Sequence, residues 1–150
     1  MLIKGDYHVH SPFCPHGTTD PLRAYIENAI DKNLEEISFT EHAPLPNHFV
    51  DPTPERDCGM TMEQTKAYIQ ELQTLKEEYQ GNIRINIGLE VDFIEGYEAE
   101  TKELLNHYGP YLDDSILSVH LLRTPANDYV CLDYSSDMFG EIIDIFGSVE

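Results

Sequence analysis

Strand-like segments alternate with helix-like segments along the chain, and this alternation restricts the fold more than any other feature. The segments with strand character are DYHVH (6–10), EEISFTEH (35–42), IRINIGLEVDF (83–93), SILSVH (115–120) and, as a fifth candidate, DYVCLDY (128–134). Parallel βαβ units give this order and place functional side chains at the carboxyl ends of the strands. A closed eight-stranded barrel needs roughly 250 residues. The 150 residues therefore predict an α/β fold with about four or five parallel strands, either part of a barrel or a small open sheet.

The predicted helices lie between these strands and carry recognisable end signals. Asp20 is expected to cap the first helix, because its carboxylate can accept a hydrogen bond from a free backbone N–H. Thr61 and Gln64 have the spacing of a capping box at the start of the second helix. Two further helices are predicted near residues 97–108 and 137–146. The long connection at 43–60, which contains several prolines, has a length typical of functional or mobile loops.

Net charge excludes several classes of partner. The formal charge is −19, so nucleic acids and anionic membranes would be repelled at long range. A phosphorylated substrate would be repelled too, unless bound cations reverse the local potential. No apolar run reaches membrane-spanning length, and the first ten residues lack the apolar stretch of a signal peptide. The three cysteines show no CxxC spacing, and a cytoplasmic protein with reduced thiols is predicted.

Side chains that bind metals gather at the predicted carboxyl ends of four successive strands. In chain order they are His8 and His10, Glu41 and His42, Glu90 and Asp92, and His120, with His16 in the loop after the first strand. Side chains two residues apart on a strand share a face, so His8 and His10 can bind one ion together. Histidine and carboxylate ligands without thiolate suit Zn, Mn or Fe. These candidates exceed the needs of one tetrahedral ion, and more than one ion is expected.

Bound ions would also explain how so acidic a chain accepts a phosphate. Two divalent ions about 3.5–4 Å apart can together clamp a phosphoryl oxygen, and a carboxylate such as Glu90 can bridge them. Around the ligands, Glu41 is interpreted as ordering the turn or supporting a ligand, and Asp92 as a partner of a histidine N–H or as structural. Cys14 is interpreted as packing. Arg123 is a candidate contact for the phosphate, with a surface salt bridge as the alternative.

Four sequence motifs support a more specific interpretation. HVHS, FTEH, GLEVDF and SVH resemble, in order, the first four motifs of the polymerase and histidinol phosphatase (PHP) family. The fuller stretches HSPFCPHGTTD and ISFTEHAPLP resemble its histidinol-phosphatase branch. The resemblance implies a PHP-type (β/α)7 TIM-like barrel with two or three divalent ions. It also implies hydrolysis of L-histidinol phosphate to L-histidinol and phosphate, a step of histidine biosynthesis.

The resemblance also implies roles for individual residues. His8, His10 and Glu90 would hold the first ion, while Glu90 would bridge to a second ion that His120 also binds. His16 and His42 would hold the third. Glu90 and His42 are the predicted catalytic residues, with Glu41 and Asp92 supporting the ligands and Arg123 contacting substrate.

Members of the family are longer than this chain and have further ligand motifs, whereas no histidine follows His120. Residues 1–150 are therefore expected to form one PHP domain that is truncated on its C-terminal side. Its exposed barrel edges would favour self-association.

Two alternatives to histidinol-phosphate hydrolysis stay open at this level. The chain could be another PHP phosphoesterase or nuclease that acts on nucleotides, although the acidity and the FTEHAPLP motif weigh against nucleic acid. It could also be a non-catalytic module that kept the ligands and lost turnover. A phosphatase assay would separate the enzyme from the non-catalytic module, and a salt-sensitive DNA-binding assay would reveal the nuclease.

Overall fold

A four-stranded parallel sheet organises the chain, for which a computed structural model describes residues 3–148. Its strands are β1 (Gly5–Val9), β2 (Glu36–His42), β3 (Arg84–Asp92) and β4 (Ile116–Ser118). They are hydrogen-bonded in their sequence order, and every neighbouring pair is parallel. An order without reversal is that of a βα barrel, whereas a doubly wound sheet reverses at a switch point. The predicted α/β fold with four parallel strands is confirmed as a partial barrel.

Helices connect the strands, as the alternation predicted. They are α1 (Leu22–Asp31), α2 (Met62–Glu78), α3 (Glu98–Tyr108) and α4 (Ser136–Phe146), with a short 3-10 helix at Gly109–Tyr111. The capping box is confirmed: the Thr61 hydroxyl accepts from the Gln64 backbone N–H at 3.1 Å, and Gln64 Oε1 accepts from the Thr61 backbone N–H at 2.8 Å. The predicted cap at Asp20 is wrong. Pro21 occupies the N-cap position, and the Asp20 carboxylate accepts from the Thr18 hydroxyl at 2.8 Å instead.

The fifth strand exists but does not join the parallel sheet. Residues Tyr129–Cys131 form β6, which pairs antiparallel with β5 (Leu121–Arg123) in a separate hairpin. The connection between them is only residues 124–128, with Asn127 in the left-handed region at φ 66°. A parallel partner needs a crossover of a dozen or more residues. The prediction of a fifth parallel strand is therefore wrong, and this hairpin brings the chain back toward the end of β4.

The hydrophobic core lies between the sheet and the helices that cover it. Leu22, Ile26 and Ala29 from α1 and Tyr68, Ile69, Leu72 and Leu75 from α2 are buried, and their spacing places each group on one helical face. The Tyr68 hydroxyl donates to the carbonyl oxygens of Phe39 at 2.7 Å and Gly88 at 2.9 Å. It thus contacts β2 and β3 together, close to the ends that carry Glu41 and Glu90. The helices hold these strand ends in a fixed relative position.

Apolar side chains are also exposed, at the free edge of β4 and on α4. Leu117 is 67% exposed, and Phe139, Ile143 and Phe146 on α4 are each more than 40% exposed. Self-association through such edges stays a prediction. Among residues 3–148, no helix combines the length and apolar character needed to cross a bilayer.

Candidate metal centre

A cavity of about 500 Å³ opens at the carboxyl ends of the parallel strands. Seven of the residues singled out in the sequence line it: His8, His10, His16, His42, Glu90, Asp92 and His120. The strand directions explain this convergence, because β1 to β4 all run the same way and end at one rim. At the end of β1 the HxH spacing directs the imidazoles of His8 and His10 into the cavity, and in β3 the ExD spacing directs two carboxylates.

The carboxylate of Glu90 is the centre of the cluster. Its Oε2 lies 2.9 Å from His8 Nε2, 3.3 Å from His10 Nε2 and 3.7 Å from His42 Nδ1. Its Oε1 lies 3.5 Å from His120 Nε2. The Glu90 side chain is only 3% exposed. A buried carboxylate with four imidazole nitrogens around it provides the ligands for more than one divalent cation.

The ligand atoms fall into sets compact enough to surround single ions. One set is His8, His10 and Glu90, and another is His42, Glu90 and His120. Glu90 belongs to both sets, as expected of a bridging carboxylate. In addition, His42 Nδ1 is buried and has no hydrogen-bond partner. A buried nitrogen without a partner is costly, and coordination of an ion would satisfy it, so the residues present fit a metal centre.

Glu41 lies behind His10 and is completely buried. Its Oε2 is 3.3 Å from His10 Nδ1, while its Oε1 accepts hydrogen bonds from the backbone N–H and the hydroxyl of Ser11. The thiol sulfur of Cys14 is also 3.8 Å from His10 Nδ1. With Nδ1 held in this way, His10 presents Nε2 to the cavity. Cys14 is buried in the hydrophobic core, as its interpretation as packing predicted, and it also contacts His10.

Asp92 holds the ring of His120 in the way that Glu41 holds the ring of His10. Its Oδ1 lies 2.8 Å from His120 Nδ1 and accepts from the His120 backbone N–H at 3.2 Å. This contact is needed because β4 ends at Ser118, two residues earlier than predicted, so the strand itself does not fix His120. The Ser118 hydroxyl in turn donates to Glu90 Oε1. A carboxylate behind a ligating imidazole fixes its tautomer and orientation.

Electrostatics in the cavity shift the pKa values of three candidate ligands in different directions. Burial lowers the pKa of His42 to about 4, so this imidazole is neutral at physiological pH. Burial would raise the pKa of Glu90, but contacts with His10, Ser118 and His8 outweigh it and hold that pKa far below its ordinary value. The hydrogen bond that His120 donates to the Asp92 carboxylate raises the pKa of His120 to about 9. An ion that binds His120 must displace its proton.

Two predicted site residues lie less centrally. The ring centroid of His16 is 4.8 Å from that of His42 and 6.5 Å from that of His10, so His16 borders the cluster. No third ligand joins His16 and His42 in a compact set within residues 3–148. Arg123 does not line the cavity. Its guanidinium donates to Asn127 Oδ1 at 2.9 Å and to Glu95 Oε1 at 3.4 Å, and contact with substrate stays a prediction.

Half of the residues that line the cavity were not predicted from the sequence. The additional lining residues are Pro15, Glu55, Asp57, Cys58, Cys131, Asp133 and Tyr134. Three of them belong to the 43–60 loop, which Asp51 orders by accepting from the backbone N–H groups of Thr53 and Cys58 at 2.8 and 3.0 Å. The length of that loop was the sequence feature that indicated a functional role for it. Pro15 lies in the loop after β1, and Cys131, Asp133 and Tyr134 lie at or after the end of β6, in a hairpin whose return toward the cavity has no local signature.

Comparison with known proteins agrees with this arrangement. The model of the PHP domain matches residues 6–149. The chain belongs to the PHP domain family. The resemblance found in the four sequence motifs is thereby confirmed, and the candidate ligands at the strand ends lie where those motifs occur.

Within the family, the chain is similar to proteins named as histidinol phosphatases. The chain is 54% identical to the histidinol-phosphatase of Bacillus subtilis over 149 residues, which are 99% of this chain and 55% of that protein. A candidate histidinol phosphatase structure from Listeria monocytogenes superposes with a TM-score of 0.90 at 35% identity, covering 97% of this PHP chain and 55% of the other.

A second structure is the histidinol phosphate phosphatase of Lactococcus lactis, in complex with zinc, L-histidinol and phosphate. It superposes with a TM-score of 0.66 at 32% identity, covering 81% of this chain and 42% of the other. The PHP chain thus spans about half the length of the relatives it matches.

Proposed function

We propose that this chain is a metal-dependent phosphomonoesterase domain that hydrolyses L-histidinol phosphate to L-histidinol and phosphate. The observation that carries the proposal is the buried Glu90 carboxylate with four imidazole nitrogens within 3.7 Å of its oxygens. The Lactococcus lactis relative, which holds zinc, L-histidinol and phosphate, and the 54% identity to a histidinol-phosphatase support the substrate. The enzyme would belong to histidine biosynthesis.

The ions are proposed to be two or three divalent cations, with zinc, manganese or iron as candidates. One would be held by His8, His10 and Glu90, and a second by Glu90, His42 and His120. His16, together with His42, is proposed for a third. When bound, such ions polarise a phosphoryl oxygen and lower the pKa of water. They would also supply the positive potential that a chain of net charge −19 needs in order to admit a phosphate.

The protein groups orient these ligands and fix their charge. Glu90 and His42 are the proposed catalytic residues: Glu90 shares its two oxygens between the ligand sets, and His42 offers a nitrogen that burial keeps neutral. Glu41 and Asp92 hold Nδ1 of His10 and His120, so that each ring directs Nε2 at Glu90. The cavity of about 500 Å³ is large enough for a small phosphate ester.

The direct test is phosphate release from L-histidinol phosphate by the purified 150-residue chain, with its metal content measured on the same sample. Ions bound together with turnover would support the proposal. Ions bound without turnover would indicate the non-catalytic module, and preferential hydrolysis of nucleotides would indicate the other PHP activity. Absence of bound metal after loading with Zn²⁺ or Mn²⁺ would contradict all three. A cytoplasmic location and a single domain over residues 1–150 stay predictions.

Replacing Asp92 with asparagine should weaken metal binding without unfolding the chain. The amide keeps a hydrogen-bond acceptor near His120 Nδ1, now 2.8 Å from the carboxylate, but removes the charge that orients the ring and increases its basicity. Loss of such a partner typically costs about 10–100-fold in metal affinity. Titration calorimetry with Zn²⁺ measures the effect, with the exposed Asp31→Asn on α1 as control. Equal affinities for the two variants would contradict the role given to Asp92.

A further inference from the structure

The β5–β6 hairpin returns a carboxylate to the metal ligands. Strand β5 begins at Leu121, directly after His120, and Leu121 pairs with Cys131 on β6. The backbone N–H of Leu132 then donates to the carbonyl oxygen of His120 at 2.8 Å. This register places Leu132 opposite His120, and the residue that follows Leu132 approaches the His120 ring from one position further along. That residue is Asp133, which lines the cavity.

The two oxygens of Asp133 have different surroundings. Its Oδ1 accepts from the Cys131 thiol at 3.2 Å, while its Oδ2 lies 3.8 Å from His120 Nε2. The other nitrogen of His120, Nδ1, is already held by Asp92 at 2.8 Å. Nε2 is therefore the nitrogen that can coordinate an ion, and it has carboxylate oxygens of Glu90 and Asp133 near it.

The separations fit a shared ion better than a hydrogen bond. Glu90 Oε1 is 3.5 Å and Asp133 Oδ2 is 3.8 Å from His120 Nε2, whereas a charge-assisted hydrogen bond is about 2.7–2.9 Å long. Ligand atoms that each lie about 2.0–2.2 Å from one zinc ion are separated from one another by about 3–4 Å. Asp133 lies outside the compact set of His42, Glu90 and His120, but its side chain is 55% exposed, so it can move toward their ion without disturbing the core.

We propose that Asp133 is a ligand of the ion that His120 and Glu90 hold. The proposal rests on the proposed function only in requiring that the cavity binds divalent cations. It assigns a role to a residue that lies outside the four strand-end motifs and that no local pattern marks. It also gives this ion a carboxylate from the hairpin in addition to the ligands contributed by β2, β3 and His120.

The test compares Asp133→Asn with Asp133→Glu and with the control Asp128→Asn, which changes an exposed carboxylate of the same hairpin. Zn²⁺ binding is measured by titration calorimetry, and Co²⁺ binding by the visible absorption bands, which respond to the ligand set. In Asp133→Asn the affinity for one ion should fall about 100-fold, the upper end of what loss of a supporting carboxylate costs, and the Co²⁺ bands should shift. Asp133→Glu should retain most of the affinity, because it keeps the carboxylate at a site with free space.

Unchanged Zn²⁺ affinity and Co²⁺ bands in Asp133→Asn would overturn the assignment while leaving the proposed function intact. A raised KM for L-histidinol phosphate with unchanged metal binding would also overturn it, and would assign Asp133 to the substrate instead. If the unsubstituted chain binds no ion, this inference and the proposed function fail together. Circular dichroism on each variant excludes misfolding, and Asp133→Glu provides a conservative variant should Asp133→Asn not fold.

Discussion

Replacing Glu90 with glutamine should abolish hydrolysis of L-histidinol phosphate and release at least one ion per chain. Glutamine matches the shape of glutamate but has no charge, and one side of its amide is an N–H₂ group that cannot ligate a cation. Because Glu90 belongs to two of the three compact groups of candidate ligands, the loss affects more than one ion. We expect the rate to fall by about 10³-fold or more, equivalent to ~4 kcal/mol in the activation free energy. Phosphate release and elemental analysis of the dialysed variant measure the two effects.

The matched control is Glu103→Gln, which makes the same chemical change at an exposed position on α3. It should retain wild-type metal content and activity. Far-ultraviolet circular dichroism should show both variants folded, since the amide oxygen introduced at position 90 can still accept from the Ser118 hydroxyl. Retention of full metal stoichiometry in Glu90→Gln would show that the cluster does not depend on this carboxylate, and the site assignment would then be wrong.

Replacing Leu72 with alanine should lower the free energy of unfolding by ~2–5 kcal/mol, the range for a leucine truncated in a rigid core. Leu72 lies on the inner face of α2 and is 0% exposed. Its side chain packs in the cluster that includes Phe39 and Leu89, from the strands that position the site. The cavity left behind fills only partly, so dispersion contacts are lost as well as apolar burial. Urea unfolding followed by circular dichroism gives the difference.

Leu117→Ala is the control for this prediction, because it removes the same atoms from a side chain that is 67% exposed on β4. Its effect should stay within about 0.5 kcal/mol, as for other surface changes. Similar destabilisation by the two substitutions would mean that α2 does not pack on the sheet as described. At low temperature, Leu72→Ala should bind as much metal as the unsubstituted chain. That result would show that the substitution lowers stability without disrupting the site.

The central part of the candidate site could be predicted from the sequence. The HxH spacing of His8 and His10 and the ExD spacing of Glu90 and Asp92 place each pair on one face of a strand. Parallel βαβ units then bring the strand ends to one rim, which the four parallel strands confirm. Only the geometry could separate the ligands from their supports. Glu41 lies 3.3 Å from His10 Nδ1 rather than in the cavity, and Asp92 contacts His120 rather than Glu90.

Other features had no local signal. The segment 128–134 has the composition of any strand, and pairing with β5 rather than with the parallel sheet depends on the short turn before it. That pairing brings Asp133 to His120. Arg123 looks well placed in the sequence, three residues after His120, yet it contacts Glu95 and Asn127. Along an extended strand, neighbouring side chains point to opposite faces, so proximity in sequence did not give proximity in space.

The sequence by itself determined the strand and helix order, the helical faces of α1 and α2, and the residues that could bind a metal. These follow from periodicity and spacing between near neighbours, which each segment carries within itself. Only the tertiary structure decided which nitrogen faces which oxygen, which carboxylates stand behind the ligands, and which loops close the cavity. Such contacts join residues as distant as His8 and Glu90, 82 positions apart. They exist only after the helices have packed the strands into register.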